Sequence, residues 1–324
     1  MSDTASSAKR KRMDLDPAET LTPTRSKIWM PYGDIILQAE STQFRVNRDV
    51  LAQQSSVFKD MFSIPQPPNE LTVEGCPIVH MLDTAKDWEL LLGVLYDPFQ
   101  HKDALPFDVL ASMLRLMKYE ITIAVENATQ RIHHEFPEQL DDWDGCESDL
   151  TKIEPREEVV ADLLNLVYEC GITTSIPTVA FCCLRGKLKL EGLLKGLQRP
   201  DKSRIILPDE IKQTMAIATE RIIDSQHRIF GWLDNDRVIP HVFCTTPSHC
   251  TQSLRTMRRA IVLDENDKAR YFGLDLWDDE WSDGMCSACG EATKEAFATS
   301  HKQFWESLPS FFGFPEWKDL RDVN

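Results

Sequence analysis

Hydrophobic and polar positions follow two rhythms along the chain, first a period of two and then a helical period. Ile35, Leu37 and Ala39 share one face of a strand, and Phe44 and Val46 alternate the same way in a second one. Such alternation is the mark of half-buried strands. From Arg48 the spacing changes: Val50, Leu51, Val57, Phe58, Met61 and Phe62 lie on one stripe of an amphipathic helix that ends before Pro65, because proline cannot continue a helix. A Pro-rich loop, Pro65 to Asn69, leads to a short strand from Ile78 to Leu82. Thr84 followed by Asp87 gives a capping-box-like start. Behind it Trp88, Leu91, Leu92, Leu95 and Tyr96 form a helical stripe closed by Asp97-Pro98. Two further helices are predicted. One starts at Pro106, a favoured first helical position, with Leu110, Met113, Leu114 and Met117 inward; the other carries Ile121, Ala124, Val125, Ala128 and Ile132. Beyond them only the helical rhythm persists, over 157–169, just after Pro177, over 208–231, from Gln252 to Val262 and from Glu291 to Ser307.

The pattern predicts an α+β chain: short strands with a helical cluster, then a mostly α-helical C-terminal region. Residues 1–27, rich in Ser, Thr, Asp, Lys and Pro and without apolar period, read as a disordered basic tail. Residues 28–137 form the first folded unit, 138–156 an acidic linker or long loop, 157–235 a helical region and 236–324 a helical region rich in cysteine and aromatic residues. No internal repeat appears.

Charge and cysteine usage narrow the function. The net charge is −16, and outside residues 1–27 the chain carries 48 acidic against 30 basic residues with no local basic face apparent. Phosphate backbones would be repelled, so direct nucleic-acid binding is not expected. Neither a membrane-spanning run nor the apolar core of a signal peptide is seen. Nine cysteines without such a signal suggest a reducing compartment, nucleus or cytoplasm. Lys9-Arg10-Lys11-Arg12 reads either as a nuclear import address or as a solvated charge cluster.

The segment from Asp34-Ile35-Ile36-Leu37 through Phe44, Val46, Arg48, Leu51, Ala52, Ser55, Phe58, Met61 and Phe62 resembles the start of a BTB/POZ domain. In that family an Asp opens an apolar strand, followed by Phe-x-Val-His-Arg/Lys-x-x-Leu-Ala-x-x-Ser-x-x-Phe-x-x-Met-Phe. Leu91-Leu92-x-x-Leu95-Tyr96 and Lys118-Tyr119 extend the likeness to about 28–135, while Asn47 departs from the family's His. Gly75-Cys76-Pro77 and Leu95-Tyr96-Asp97-Pro98 resemble the BTB proteins of fungi, in basidiomycete style, as does the aromatic end from Phe304 to Leu320. The resemblance implies a protein–protein adaptor or scaffold that pairs as a homodimer, with Asp34 and Arg48 in a charged pocket at the dimer interface. Read from the residues alone, the alternative is that both are merely local caps, Asp34 before a strand and Arg48 at a helix start. Cullin-binding members often carry a hydrophobic-x-Glu triplet after the first helix. Here Ile64-Pro65-Gln66 has Gln in its place, which leaves a cullin ubiquitin-ligase substrate adaptor as the secondary reading.

Cys244-x5-Cys250 and Cys286-x2-Cys289, each placed before a predicted helix, are the strongest chemistry in the chain. Two thiolate pairs at helix starts suit a tetrahedral structural zinc site, with His241 and His249 as substitute ligands. Four free thiols are the plainer alternative, and a thioredoxin-like CxxC lacks the strand expected before it. Cys170, Cys182 and Cys183 read as buried structural thiols. The aromatic run from Phe304 to Trp317 must be covered, most simply by the helical region itself. His133-His134 point apart on a helix, and Asp141-Asp142-Trp143-Asp144-Gly145 lacks the ligand series of a calcium loop. With no phosphate loop, nucleophile elbow or HExxH, the chain is not expected to be an enzyme. The contrasting class is a thiol- or metal-dependent enzyme built on the C-terminal cysteines.

Overall fold

The computed structural model describes residues 22–64, 71–146, 149–156, 158–186, 192, 195–199, 202–234, 237–262 and 271–323. Lys9 to Arg12 and the Pro65–Asn69 loop lie outside the described residues. The chain divides into two compact units, Met1–Gly93 and Val94–Asn324.

The first unit is built on a five-stranded sheet in the order β1-β3-β2-β5-β4. Its strands are β1 (Thr24–Trp29), β2 (Ile35–Ala39), β3 (Thr42–Val46), β4 (Thr72–Val73) and β5 (Cys76–Met81). β1 runs parallel to β3 and β5 parallel to β2, while β2–β3 and β4–β5 are antiparallel. Thr24 to Lys27 therefore belong to a paired edge strand, although the polar sequence of 1–27 reads as tail. The neighbouring backbone supplies the ladder that the side chains do not advertise. In central β2 the residues Ile35, Ile36, Leu37 and Ala39 are all buried, so both of its faces are covered. Glu74-Gly75, both at positive φ, make the two-residue turn between β4 and β5.

The single helix predicted from Arg48 is two helices, α1 (Arg48–Gln54) and α2 (Ser56–Ser63). Ser55 between them is extended at φ −143°, and its hydroxyl accepts from the Phe58 N–H at 3.0 Å. A serine that caps its own successor helix breaks the stripe without disturbing its phase. Phe58 meets Trp88 edge-on at 6.0 Å. Trp88 lies on α3 (Ala85–Tyr96), whose start bears out the capping box: Thr84 accepts from the Asp87 N–H at 3.1 Å and donates to its carboxylate at 2.7 Å.

The second unit is mostly helical. It contains α4 (Phe107–Arg115), α5 (Thr122–Glu135), α6 (Leu140–Asp144), α7 (Val159–Glu169), α8 (Ile176–Arg185), α9 (Asp209–Ile229), α10 (Pro247–Val262) and α11 (Ser287–Phe311). A small ribbon, β6 (Leu197–Gln198) with β7 (Arg204–Ile205), completes the assigned strands. The acidic segment 138–156 is not merely a linker. Its α6 turns Trp143 against Phe181 at 6.4 Å and Trp305 at 5.7 Å, because one large apolar ring outweighs the solvation of its acidic neighbours. Regions 157–235 and 236–324 share one core, with Phe181 on Phe304 at 5.9 Å and Phe230 on Phe297 at 5.7 Å. Gly273 is required there, since a Cβ would meet the Phe304 ring at 2.7 Å. The aromatic end is covered by its own unit: Trp317 stacks on Trp305 at 4.9 Å and donates to its carbonyl at 2.8 Å. Among the described residues no helix is long and apolar enough to cross a membrane.

Candidate functional site

Asp34 and Arg48 meet in the first unit. Gly33 allows the chain to pass close to β3, where a Cβ would meet Val46 O at 2.9 Å. The next residue, Asp34, is thereby aimed at the start of α1. One carboxylate oxygen accepts the Arg48 backbone N–H at 2.8 Å, and the other lies 3.8 Å from the Arg48 Nε. Asp34 thus serves α1 as the acceptor that its N-cap residue, Asn47, does not provide. The guanidinium lies over the Phe62 ring at 5.5 Å. The carboxylate is 59% exposed and the arginine side chain 28%. The arrangement is a charged, partly open surface feature with a local capping role already filled. Ile64 is exposed, while Pro65 and Gln66 lie outside the described residues.

The four C-terminal cysteines converge in the second unit. Cys244 lies before α10 and Cys250 in its first turn; Cys286 is the N-cap residue of α11 and Cys289 is in its first turn. Both helices begin earlier than their apolar spacing predicts, so the second cysteine of each pair is helical rather than in the preceding loop. All four Sγ atoms lie within 4.8 Å of one another. Cys244 and Cys250 are 3.6 Å apart, and Cys286 and Cys244 3.8 Å. These are not disulfides, whose sulfurs would be about 2.05 Å apart. Zinc–sulfur bonds of about 2.3 Å in a tetrahedron would place sulfurs about 3.8 Å apart, so the cluster has the dimensions of a metal site. The chain thus presents four cysteines that can hold a metal ion.

The surroundings treat the four thiols differently. The Cys286 N–H donates to Cys250 Sγ at 3.3 Å, the His241 N–H to Cys289 Sγ at 3.4 Å, and the Thr246 hydroxyl sits 3.3 Å from Cys250 Sγ. The backbone N–H groups of Thr245 and Cys289 bring the Cys286 thiol down to about 6. Cys250 is also lowered: burial opposes the shift, but the Thr246 hydroxyl and the Cys286 N–H outweigh it. Lost solvation raises Cys244, and burial pushes Cys289 up to about 12. Two thiols are thus pulled one way, by N–H and O–H donors, and two the other, by lost solvation. His241 contributes its backbone and His249 packs against Gly284, where a Cβ would lie 3.2 Å from its Nε2. Neither histidine replaces a cysteine. The three short-range donors escape sequence reading, although Thr246-Pro247 ahead of a helix is a recognisable cap.

The remaining sequence candidates have structural roles. Cys170, Cys182 and Cys183 are free thiols raised by burial. Asp144 of the faint calcium-loop pattern turns to buried His301 at 3.5 Å. His133 joins Asp322 at 3.1 Å and Thr174 at 3.1 Å, which ties the chain's end to the 3-10 turn before α8. Sequence distance hid this link entirely. Among the described residues the cysteine set is the only His/Cys/Asp/Glu group with metal-site dimensions.

Comparison with known proteins agrees with the first unit's architecture and extends past it. The BTB/POZ domain family model matches residues 29–134. Residues 29–134 therefore match the BTB/POZ domain, whose family is one of protein–protein interaction modules, and a mostly helical region follows. No curated protein matches the chain.

Proposed function

We propose that this chain is a protein–protein adaptor or scaffold whose BTB/POZ domain pairs with a second copy through the surface carrying Asp34 and Arg48. The observation that carries the reading is the domain match over 29–134 joined to a carboxylate–guanidinium pair left partly open at the surface. A second copy would close off that pair from solvent, where a reciprocal charge contact gains strength. The four-cysteine cluster is read as a structural zinc site. It would fasten the starts of α10 and α11 and leave no open coordination position for catalysis. Free thiols and thiolate ligands persist under reducing conditions, so a nuclear or cytoplasmic setting goes with this reading.

Sedimentation equilibrium of the purified chain and of Arg48→Ala tests the pairing. A concentration-dependent dimer that the substitution converts to monomer supports it; a wild-type monomer at high micromolar concentration rejects it. Elemental analysis of protein purified without added metal tests the zinc reading separately, with one zinc per chain expected and metal-free folded protein contradicting it.

A further inference from the structure

The cysteine-bearing segment 237–262 is an acid-free stretch between Asp236 and Asp264. The chain has 52 acidic residues among 324, yet none falls between Arg237 and Val262, where four arginines do. α10 buries Cys250, Leu254, Met257 and Ile261. Its opposite face is exposed and carries Gln252, Arg255, Thr256 and Arg259. Arg258, on the flank, is paired with Asp234. Arg255 and Arg259 form no ion pair with a described residue. They stand one helical turn apart, a like-charge spacing that disfavours the helix and that no acid on α10 offsets.

The turn leading into this helix has a second unusual surface. Val242 is 86% and Phe243 77% exposed. The turn is nevertheless held in place: the Cys244 N–H donates to the His241 carbonyl at 2.8 Å, the His241 N–H donates to Cys289 Sγ, and the His241 and Phe243 rings lie 5.5 Å apart. An anchored turn that displays two apolar side chains, followed by a helix that displays two cations without an ion-pair partner among the described residues, has the makeup of a recognition surface.

We propose that segment 237–262 is a docking surface for a short acidic peptide segment of a partner protein, with Phe243 and Val242 gripping an apolar side chain and Arg255 and Arg259 binding carboxylates. Arg259 lies about 18 Å along the helix from Pro247 at about 1.5 Å per residue, so an extended peptide of roughly eight residues spans both features. Charge complementarity selects the occupant. The segment Asp278, Asp279, Glu280 and Asp283 adjoins α10, where Gly284 approaches Ser253 and His249.

Fluorescence anisotropy with a labelled ten-residue peptide of glutamates and one leucine tests the proposal on the full chain at low salt. Binding should weaken steeply as salt rises. Arg255→Glu/Arg259→Glu should weaken it at least tenfold, Phe243→Ser should weaken it several-fold, and Arg255→Lys/Arg259→Lys should retain it. Because all three positions are exposed, unchanged thermal unfolding of the variants verifies their folding. Absent binding, equal binding by the charge-reversed variant, or tighter binding of an oligonucleotide of the same charge would each overturn the proposal.

Discussion

In the first unit Ile36 pairs with Ile78, and the sheet closes over a short span of chain. In the second, Asp322 accepts from Thr174 across 148 residues, and the Val323 N–H closes on the Gly171 carbonyl. The first unit is held by backbone ladders over a core of Ile35, Ile36, Leu37, Phe44 and Phe58. The second relies on rings and sulfurs brought together from distant segments: Trp143, Phe181 and Trp305, and cysteines from two separate helix starts. Ladder pairing constrains every residue of a strand and therefore leaves a periodic trace in sequence. A cluster of rings or thiols constrains only its members, and its trace is faint.

Metal removal tests the contrast most sharply. Removing zinc with a strong chelator should abolish or greatly lower the second unit's unfolding transition in calorimetry while the first unit keeps its own. Structural zinc in small domains is worth about 10–16 kcal/mol in apparent terms. Cys289→Ser should lose the metal and produce the same selective loss. Equal effects on both units, or on neither, would break the comparison.

Next in size are the two cores. Phe304→Ala should cost about 3–5 kcal/mol and Leu37→Ala about 2–5 kcal/mol, each in urea unfolding of its own unit. Gly273→Ala, which forces a Cβ onto the Phe304 ring, should cost about 1–3 kcal/mol. Loss of the Ser55 cap in Ser55→Ala should cost about 1 kcal/mol, confined to the first unit and seen as faster hydrogen exchange at Phe58.

The smallest effect is a pH dependence at the chain's end. Burial alone would raise the Asp322 carboxyl, but His133 and Thr174 outweigh it and hold the group below its ordinary range. A carboxyl depressed on folding contributes stability that is present above its unfolded pKa and lost as pH falls through the folded value. The second unit should therefore weaken as pH drops below about 4, and Asp322→Asn should flatten that slope. An unchanged slope in the variant would show that the link carries no such stability.

Several elements are legible in the sequence: the strands around Leu37 and Phe44, the Thr84 cap, the helix through Trp88, Leu91 and Leu92, and the domain resemblance, which the family model matches over 29–134. Others were not. The edge strand Thr24–Trp29 lacks apolar alternation because it borrows its order from β3. α6 hides in an acidic stretch because a single residue, Trp143, anchors it. The break at Ser55 preserves the apolar stripe and so leaves no mark on its period.

For the cysteines the division is plain. Sequence alone supplied the donor type, the pairing of Cys244 with Cys250 and of Cys286 with Cys289, and the helices behind them. Tertiary structure alone brought the two pairs within 4.8 Å, placed the His241 and Cys286 N–H groups on their sulfurs, and left Arg255, Arg259 and Phe243 facing water. Periodicity reports which residues leave water along one element. Which elements then meet, and which charged faces stay uncovered, depends on packing between segments far apart in the chain, and no local pattern records it.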